Sequence, residues 1–270
     1  MVISVASVKG GTGKTATAHN LGAAIAKEGK KVLLVDNDSQ GNLTKSLGKT
    51  PADQKRTLSN LMGYAIDEPD ILAEMVGKTV QHHSDNLDFI PSNRRLSAIT
   101  TRLAVMQTSS AMTDDEEIRS EFVLREVISN VRDQYDYIII DCSNNRDLQM
   151  INALVASDSV IIPVQAHFLD AEGLPDTLAV VKAVNKLNPD LKVLGILLTM
   201  FRSQTNLAKG VRDEIVSMYG NAIPVFDAPI AHSVRVAEAP AYGESILEYD
   251  PANPASTAYI QAALEVIKHG

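Results

Sequence analysis

A glycine-rich run that joins an apolar strand to a helical pattern constrains this fold more than any other feature. Residues 2–6 read as a short buried strand, and residues 9–15 are Lys-Gly-Gly-Thr-Gly-Lys-Thr. Small and apolar residues then recur at helical spacing, and they are Ala18, Leu21, Gly22 and Ile25. A strand that turns through glycines into a helix presents several backbone N–H groups that can hold a phosphate. The chain is therefore predicted to begin with a strand, a phosphate-binding loop and a helix.

The run misses the strict Walker A pattern by one residue, because that pattern has glycine where this chain has Val8. Its three glycines still allow the positive φ angles with which consecutive N–H groups curl around a phosphate. We expect Lys14 to neutralise the β- and γ-phosphates of ATP and the Thr15 hydroxyl to ligate Mg2+. The predicted nucleotide-binding residues are Lys9, Gly10, Gly11, Thr12, Gly13, Lys14, Thr15 and Ala16.

Further apolar runs alternate with helical patterns along the chain. The runs occupy residues 32–35, 137–140, 160–162 and 193–198. Unbroken runs of this kind are typical of strands that are covered on both faces. Their alternation with helices predicts an α/β fold with a doubly wound, mostly parallel sheet and helices on both faces. We expect residues 1–270 to form a single domain, with an irregular segment of surface helices and loops at about residues 49–85.

Aspartates end two of these predicted strands. Asp141 follows the run at residues 137–140 and fits a Walker B carboxylate that holds Mg2+ through water. Asp36 ends the run at residues 32–35. Asp36 and Asp38 lie on the same side of an extended chain, so that both can contribute to the magnesium shell. The predicted metal-site residues are Thr15, Asp36, Asp38 and Asp141.

The composition excludes several classes of function. A formal charge of -8 offers no global basic field for nucleic acid, so any contact needs a local patch. The single cysteine, Cys142, excludes an intrachain disulfide and a metal site built on paired cysteines. No apolar stretch approaches the roughly 18 residues that span a bilayer, so we expect a cytoplasmic protein without a membrane contact. The acidic run at residues 114–117 is interpreted as the solvated first turn of a helix.

Residues 9–15 resemble the deviant Walker A loop of the ParA/MinD family of ATPases. In that family the first lysine reaches across a dimer, so the resemblance implies an ATP-dependent homodimer in which Lys9 contacts the partner's nucleotide. Residues 35–44 are similar to the family's second acidic motif, which implies that Asp38 activates the attacking water. The catalytic residues that the resemblance implies are Lys9, Lys14 and Asp38. The alternative for Asp38 is that it caps the next helix.

Later segments are similar to the partition branch of this family, often called Soj or ParA. They include residues 198–200, 238–240 and 248–251. The resemblance implies non-specific DNA binding in the ATP state, a ParB-like partner that stimulates hydrolysis, and association with the nucleoid. Such DNA contacts neutralise phosphates and depend strongly on salt. The implied contacts are Arg202, Lys209, Arg212 and Arg235.

The chain also departs from the family pattern. Gln204 and His232 stand where arginines are expected, and residues 142–145 are Cys-Ser-Asn-Asn where the family has a residue and two prolines. Flexible polar residues thus replace two rigid rings beside the γ-phosphate. Ala16 replaces a threonine, and Ser39 replaces a proline. We expect slower hydrolysis or weaker nucleotide binding from these changes.

Two other functions remain open from the sequence. The altered residues after Asp141 are compatible with a nucleotide-dependent dimerisation switch that hydrolyses little or no ATP. A small-molecule ligase, of the related amide-forming or carboxylating enzymes, would share the phosphate-binding loop. That second alternative leaves Lys9 and the C-terminal family segments unexplained.

Overall fold

A sheet of seven strands forms the centre of the computed structural model, which describes residues 1–110, 119–166 and 173–269. The strands are β1 (Val2–Val5), β2 (Val32–Asn37), β3 (Gln81–Ser84), β4 (Leu87–Ile90), β5 (Tyr137–Cys142), β6 (Ser159–Gln165) and β7 (Lys192–Thr199). Their order across the sheet is β3-β4-β2-β5-β1-β6-β7, and only the β3–β4 pair is antiparallel among these described strands. The predicted doubly wound, mostly parallel α/β fold is confirmed. The acidic run at residues 114–117 lies outside the described residues.

Helices connect the strands. They are α1 (Lys14–Lys27), α2 (Asn42–Ser46), α3 (Leu58–Asp67), α4 (Leu72–Thr79), α5 (Leu96–Ser110), α6 (Val123–Ser129), α7 (Leu148–Val155), α8 (Gly173–Val184), α9 (Asn206–Tyr219), α10 (Val234–Glu238), α11 (Ile246–Tyr249) and α12 (Pro254–His269). Short 3-10 helices occupy Pro51–Asp53, Pro69–Ile71, Arg132–Gln134 and Ala239–Tyr242. Within the three described ranges, no helix combines the length and apolar character needed to cross a bilayer.

The sheet is covered on both faces, as its apolar strands require. In β2, Leu33 and Val35 pack into one hydrophobic cluster, which includes residues of α3, α6 and α7. Val32 and Leu34 point the other way and pack with residues of α1 and α12. This alternation follows from the two-residue period of a strand. Burial on both faces explains why β2 has no polar residue before Asp36.

The segment at residues 49–85 is more deeply integrated than the predicted surface helices and loops. The apolar face of α3 is buried, and Leu58, Leu61 and Met62 have no exposed surface. Strand β3 adds an antiparallel edge to the sheet beside β4. Helical spacing of apolar residues was masked in the sequence by the surrounding prolines and glycines, which end each short element.

Candidate functional site

The carboxyl ends of β1, β2 and β5 bring the predicted site residues together. Val5 is in register with Asp141, and Asp141 is in register with Asp36 on the other side. Strands β1 and β5 are neighbours, and the connection after β1 runs to β2 on one side whereas the connection after β5 runs to β6 on the other. Ligands of open α/β sheets bind beyond the carboxyl ends of the strands at such a reversal. The phosphate-binding loop follows β1 at this position.

Left-handed glycines shape that loop. Gly11 and Gly13 have φ angles of 79° and 84°, which side-chain-bearing residues rarely adopt. Gly13 is the N-cap of α1, and its carbonyl accepts a hydrogen bond from the Thr17 backbone N–H at 2.8 Å. Strand β7 supports the loop, because the Thr199 hydroxyl donates to the Thr12 carbonyl at 2.8 Å. The loop therefore presents the start of α1 to a ligand, as the sequence predicted.

The two lysines of the loop have different surroundings. The Lys14 ammonium donates to the Lys9 carbonyl at 3.1 Å, so it is held over the loop. Burial lowers the pKa of Lys14, and the nearby Asp141 carboxylate partly offsets this effect. The Lys9 side chain packs against the start of α8, where a Cβ on Gly173 would lie 2.9 Å from Lys9 Cβ. Lys14 thus faces the phosphate position, whereas Lys9 lies at the front of the loop.

A threonine and an aspartate supply oxygen ligands beside Lys14. The Thr15 hydroxyl donates to Asp141 Oδ2 at 2.7 Å. Asp141 is completely buried, and its Oδ1 atom has no hydrogen-bond partner in the described parts of the chain. Desolvation raises the pKa of Asp141 well above its usual range, and the charge of Asp36 raises it further. Hydroxyl and carboxylate oxygens suit Mg2+, which keeps several of its waters, so this pair fits the ion.

Asp36 uses both of its carboxylate oxygens in contacts within the fold. Its Oδ2 atom accepts from the backbone N–H and hydroxyl of Thr44, at 2.8 and 2.6 Å, and its Oδ1 atom accepts from the Asp38 N–H at 3.2 Å. Burial raises the pKa of Asp36 to about 6. Both oxygens therefore accept hydrogen bonds from the segment at residues 38–44. Asp36 thus positions that segment, and its part in the magnesium shell stays a prediction.

Asp38 stands at the start of the segment that Asp36 holds. Its Oδ1 atom accepts from the Gln40 backbone N–H at 3.0 Å. The N-cap of α2 is Gly41, with a φ of 63°, so Asp38 stabilises the preceding turn and does not cap the helix itself. Its charge raises the pKa of both Lys14 and Asp141, so the Asp38 carboxylate lies on the same side of the sheet as this pair. The geometry is compatible with orienting a water.

An apolar cavity of about 310 Å³ adjoins the loop on the side of β7. Gly13 and Ala16 form one wall, and Thr199 and Met200 form another. Met200 has a φ of 50°, which is unusual for a residue with a side chain. Its walls come from residues far apart in the chain, so no local sequence pattern predicts it. Its position and apolar lining suit a nucleoside.

The basic residues predicted to contact DNA lie on the C-terminal third. Arg202 Nη2 is 3.5 Å from His232 Nε2, which joins the end of β7 to the segment before α10. Arg235 donates to the Tyr249 hydroxyl at 3.3 Å and to Glu238 Oε2 at 3.4 Å. Lys209 and Arg212 are exposed on α9. These four residues are all near the surface, as a phosphate contact requires.

Comparisons with known proteins extend over the whole chain. A family model described as an AAA domain matches residues 1–193. The sporulation initiation inhibitor protein Soj of Bacillus subtilis is 39% identical over 270 residues, covering 100% of this chain and 99% of Soj. The chromosome partitioning protein ParA of Caulobacter vibrioides is 36% identical, covering 98% of this chain and 93% of ParA. Among solved structures, cobyrinic acid a,c-diamide synthase from Mycobacterium smegmatis with bound ADP and magnesium superimposes with a TM-score of 0.80 at 27% identity, covering 99% of this chain and 94% of that one.

Proposed function

We propose that this chain, which belongs to the ParA/MinD family of P-loop ATPases, uses ATP hydrolysis to drive DNA partitioning. The chain is an ATPase, and its ATP-bound form pairs into a homodimer that binds DNA without sequence preference. A ParB-like partner then stimulates hydrolysis and releases the protein from the nucleoid. The observation that carries this proposal is the end-to-end similarity to Soj and ParA, since it includes the segment with Arg235, beyond the family match that ends at residue 193.

The site residues have complementary tasks in this proposal. Residues 9–16 cradle the phosphates, and Lys14 neutralises their charge. Thr15 and Asp141 would hold Mg2+, which would supply positive charge that stabilises the transferred phosphoryl group. Asp38 orients the attacking water. Binding energy at the γ-phosphate thereby shifts the equilibrium between monomer and dimer.

Lys9→Ala should weaken ATP-dependent dimerisation by about 10- to 100-fold, because a charged hydrogen bond to the partner's nucleotide is lost. Nucleotide binding by the monomer should largely survive, since Lys14 remains. Light scattering with a slowly hydrolysed ATP analogue, over a range of protein concentrations, measures the dimer. Lys192→Ala is the matched control, because Lys192 begins β7 at the opposite end of the sheet. An unaltered dimer in Lys9→Ala would contradict contact in trans.

Arg235→Ala should weaken DNA binding in the presence of ATP by about tenfold and reduce the slope of affinity against salt by about one. Band shifts at several salt concentrations with duplexes of unrelated sequence measure both quantities. Arg132→Ala is the control, because Arg132 forms an ion pair with Asp158 at 2.8 Å, away from α10. If the wild-type protein with ATP shows no salt-sensitive binding, the DNA part of the proposal is wrong.

ATPase assays on the same protein preparations distinguish a partition ATPase from the two other functions that the sequence left open, a dimerisation switch and a ligase. A partition ATPase turns over ATP alone and faster with DNA and its partner. A pure dimerisation switch would show no turnover above the background of a Lys14→Ala variant. A ligase would turn over only when an organic acid or amine is added. Hydrolysis that depends on such an acceptor would overturn the proposal.

A further inference from the structure

The loop after β5 places an amide side chain over the phosphate-binding loop. Asn144 Nδ2 lies 3.1 Å from the point that a Cβ on Gly10 would occupy. The asparagine amide nitrogen carries two hydrogens, so a donor stands beside the loop. Asn144 is exposed at this end of the sheet. A bound phosphate and this donor would therefore share the space in front of Gly10.

The positions of the apolar cavity and of Asp141 indicate how a nucleotide would lie across the site, with its terminal phosphate at the end where Asn144 lies. The apolar cavity suited to a nucleoside is walled by Thr199, at the end of β7. Asp141 is at the end of β5, and β6 and β1 lie between β7 and β5. A triphosphate that starts in the cavity and crosses α1 at Thr15 thus ends beside β5. Mg2+ held by Thr15 and Asp141 would add positive charge at that end.

Neighbouring contacts hold the segment that carries Asn144. On one side, Cys142 ends β5 and is buried with 2% exposure, and Ser143 is buried next to it with 6% exposure. On the other side, Asp147 caps α7 by accepting from the Gln149 and Met150 N–H groups at 3.1 and 3.2 Å. These contacts fix both ends of a short segment, so that the Asn144 amide is presented to the ligand from a defined position.

We propose that Asn144 is a specificity residue, which donates a hydrogen bond to the terminal phosphate and so favours ATP over ADP. The inference rests on the ATPase activity but not on DNA or a partner protein. ADP lacks the phosphate that would reach Asn144, so the contact contributes to the binding of ATP alone. An amide is neutral, and it can release the phosphate after hydrolysis more readily than a second lysine could.

The affinities of ATPγS and ADP, each with magnesium, test this assignment. Displacement of a fluorescent ADP from the full chain gives both constants, at protein concentrations where light scattering shows monomers. Asn144→Ala should weaken ATPγS about tenfold, because a hydrogen bond to a charged group is lost, and should leave ADP within about twofold. Asn144→Asp should weaken ATPγS further, because a carboxylate repels the phosphate.

Asn145→Ala is the matched control, since Asn145 is the same residue type, is exposed and follows directly in the chain. It should leave both affinities unchanged. Retained ADP binding also shows that each variant is folded. Equal weakening of ATPγS and ADP in Asn144→Ala, or no change in either, would overturn the assignment. Because neither DNA nor a partner is present, this outcome is independent of whether the chain partitions DNA.

Discussion

Asp38→Ala should lower the rate of ATP hydrolysis by at least about a hundredfold while ATP binding is retained, since a positioned general base contributes this much or more. Lys14, Thr15 and Asp141 are unaffected by the change, so the phosphates and Mg2+ keep their ligands. We expect ATP to be held for longer, and the ATP-dependent dimer to accumulate. Single-turnover assays with labelled ATP, together with a measurement of bound nucleotide, separate the loss of chemistry from a loss of binding.

Two variants distinguish a role of Asp38 in catalysis from a role in stabilising the turn before α2. Gln40→Ala retains the backbone N–H that donates to Asp38, so its turnover should be close to that of the wild type. Asp38→Asn keeps an oxygen that can accept this hydrogen bond, but its amide cannot take a proton from water. We therefore expect Asp38→Asn to be as slow as Asp38→Ala. Near-normal turnover in Asp38→Asn would reduce Asp38 to a structural residue.

The central architecture was predictable because its signals are local. A buried parallel strand needs an unbroken apolar run, and a phosphate-binding loop needs glycines before a lysine and a threonine, so both are visible in consecutive residues. The pairing of Thr15 with Asp141 follows from the sheet, since strands of one parallel sheet end at the same edge. Sequence alone could thus predict the loop and the Walker B aspartate.

The remaining features depend on contacts between distant residues. Thr44 and the Asp38 N–H donate to the carboxylate of Asp36, which the sequence placed in the magnesium shell. No local sequence pattern predicts these contacts. The apolar cavity beside the phosphate-binding loop likewise depends on the left-handed backbone of Met200 and on the approach of β7 to the loop. These features arise from tertiary packing, which single-sequence periodicity does not contain.

Asp141→Asn should reduce magnesium-dependent ATP turnover by about 10- to 100-fold and should also stabilise the nucleotide-free protein at pH 8. The activity falls because a neutral amide is a poor substitute for the carboxylate that holds Mg2+. The stability rises because the variant no longer buries a charge beside that of Asp36. The Thr15 hydroxyl keeps an oxygen acceptor, and no donor of the described residues faces Oδ1, so an amide nitrogen there would oppose no other N–H or O–H group.

The stability difference between Asp141→Asn and the wild type depends on pH in a direction that the pKa of Asp141 determines. The folded pKa of Asp141 is raised well above the value of 3.8 expected in the unfolded chain. The protonated Asp141 side chain therefore contributes its full share to the free energy of unfolding below about pH 4. This contribution is lost as the pH rises through the folded pKa. The stability advantage of Asp141→Asn should accordingly be small in acid and grow toward pH 8. Thermal unfolding without nucleotide measures it, since each kcal/mol shifts Tm by about 2–4 °C in a chain near this size.

Asp36→Asn supplies the contrast, because it makes the same chemical change on the residue paired with Asp141. Three hydrogens point at the Asp36 oxygens, from Thr44 and the Asp38 N–H, so an amide N–H must face another donor. We expect Asp36→Asn to lower the free energy of unfolding, by about 1–3 kcal/mol for the buried groups left without an acceptor. Opposite signs for the two variants would show that the fold uses the Asp36 oxygens as acceptors, whereas the buried charge of Asp141 lowers stability. If Asp141→Asn proved less stable than the wild type at pH 8, the destabilising effect assigned to the Asp141 charge would be wrong.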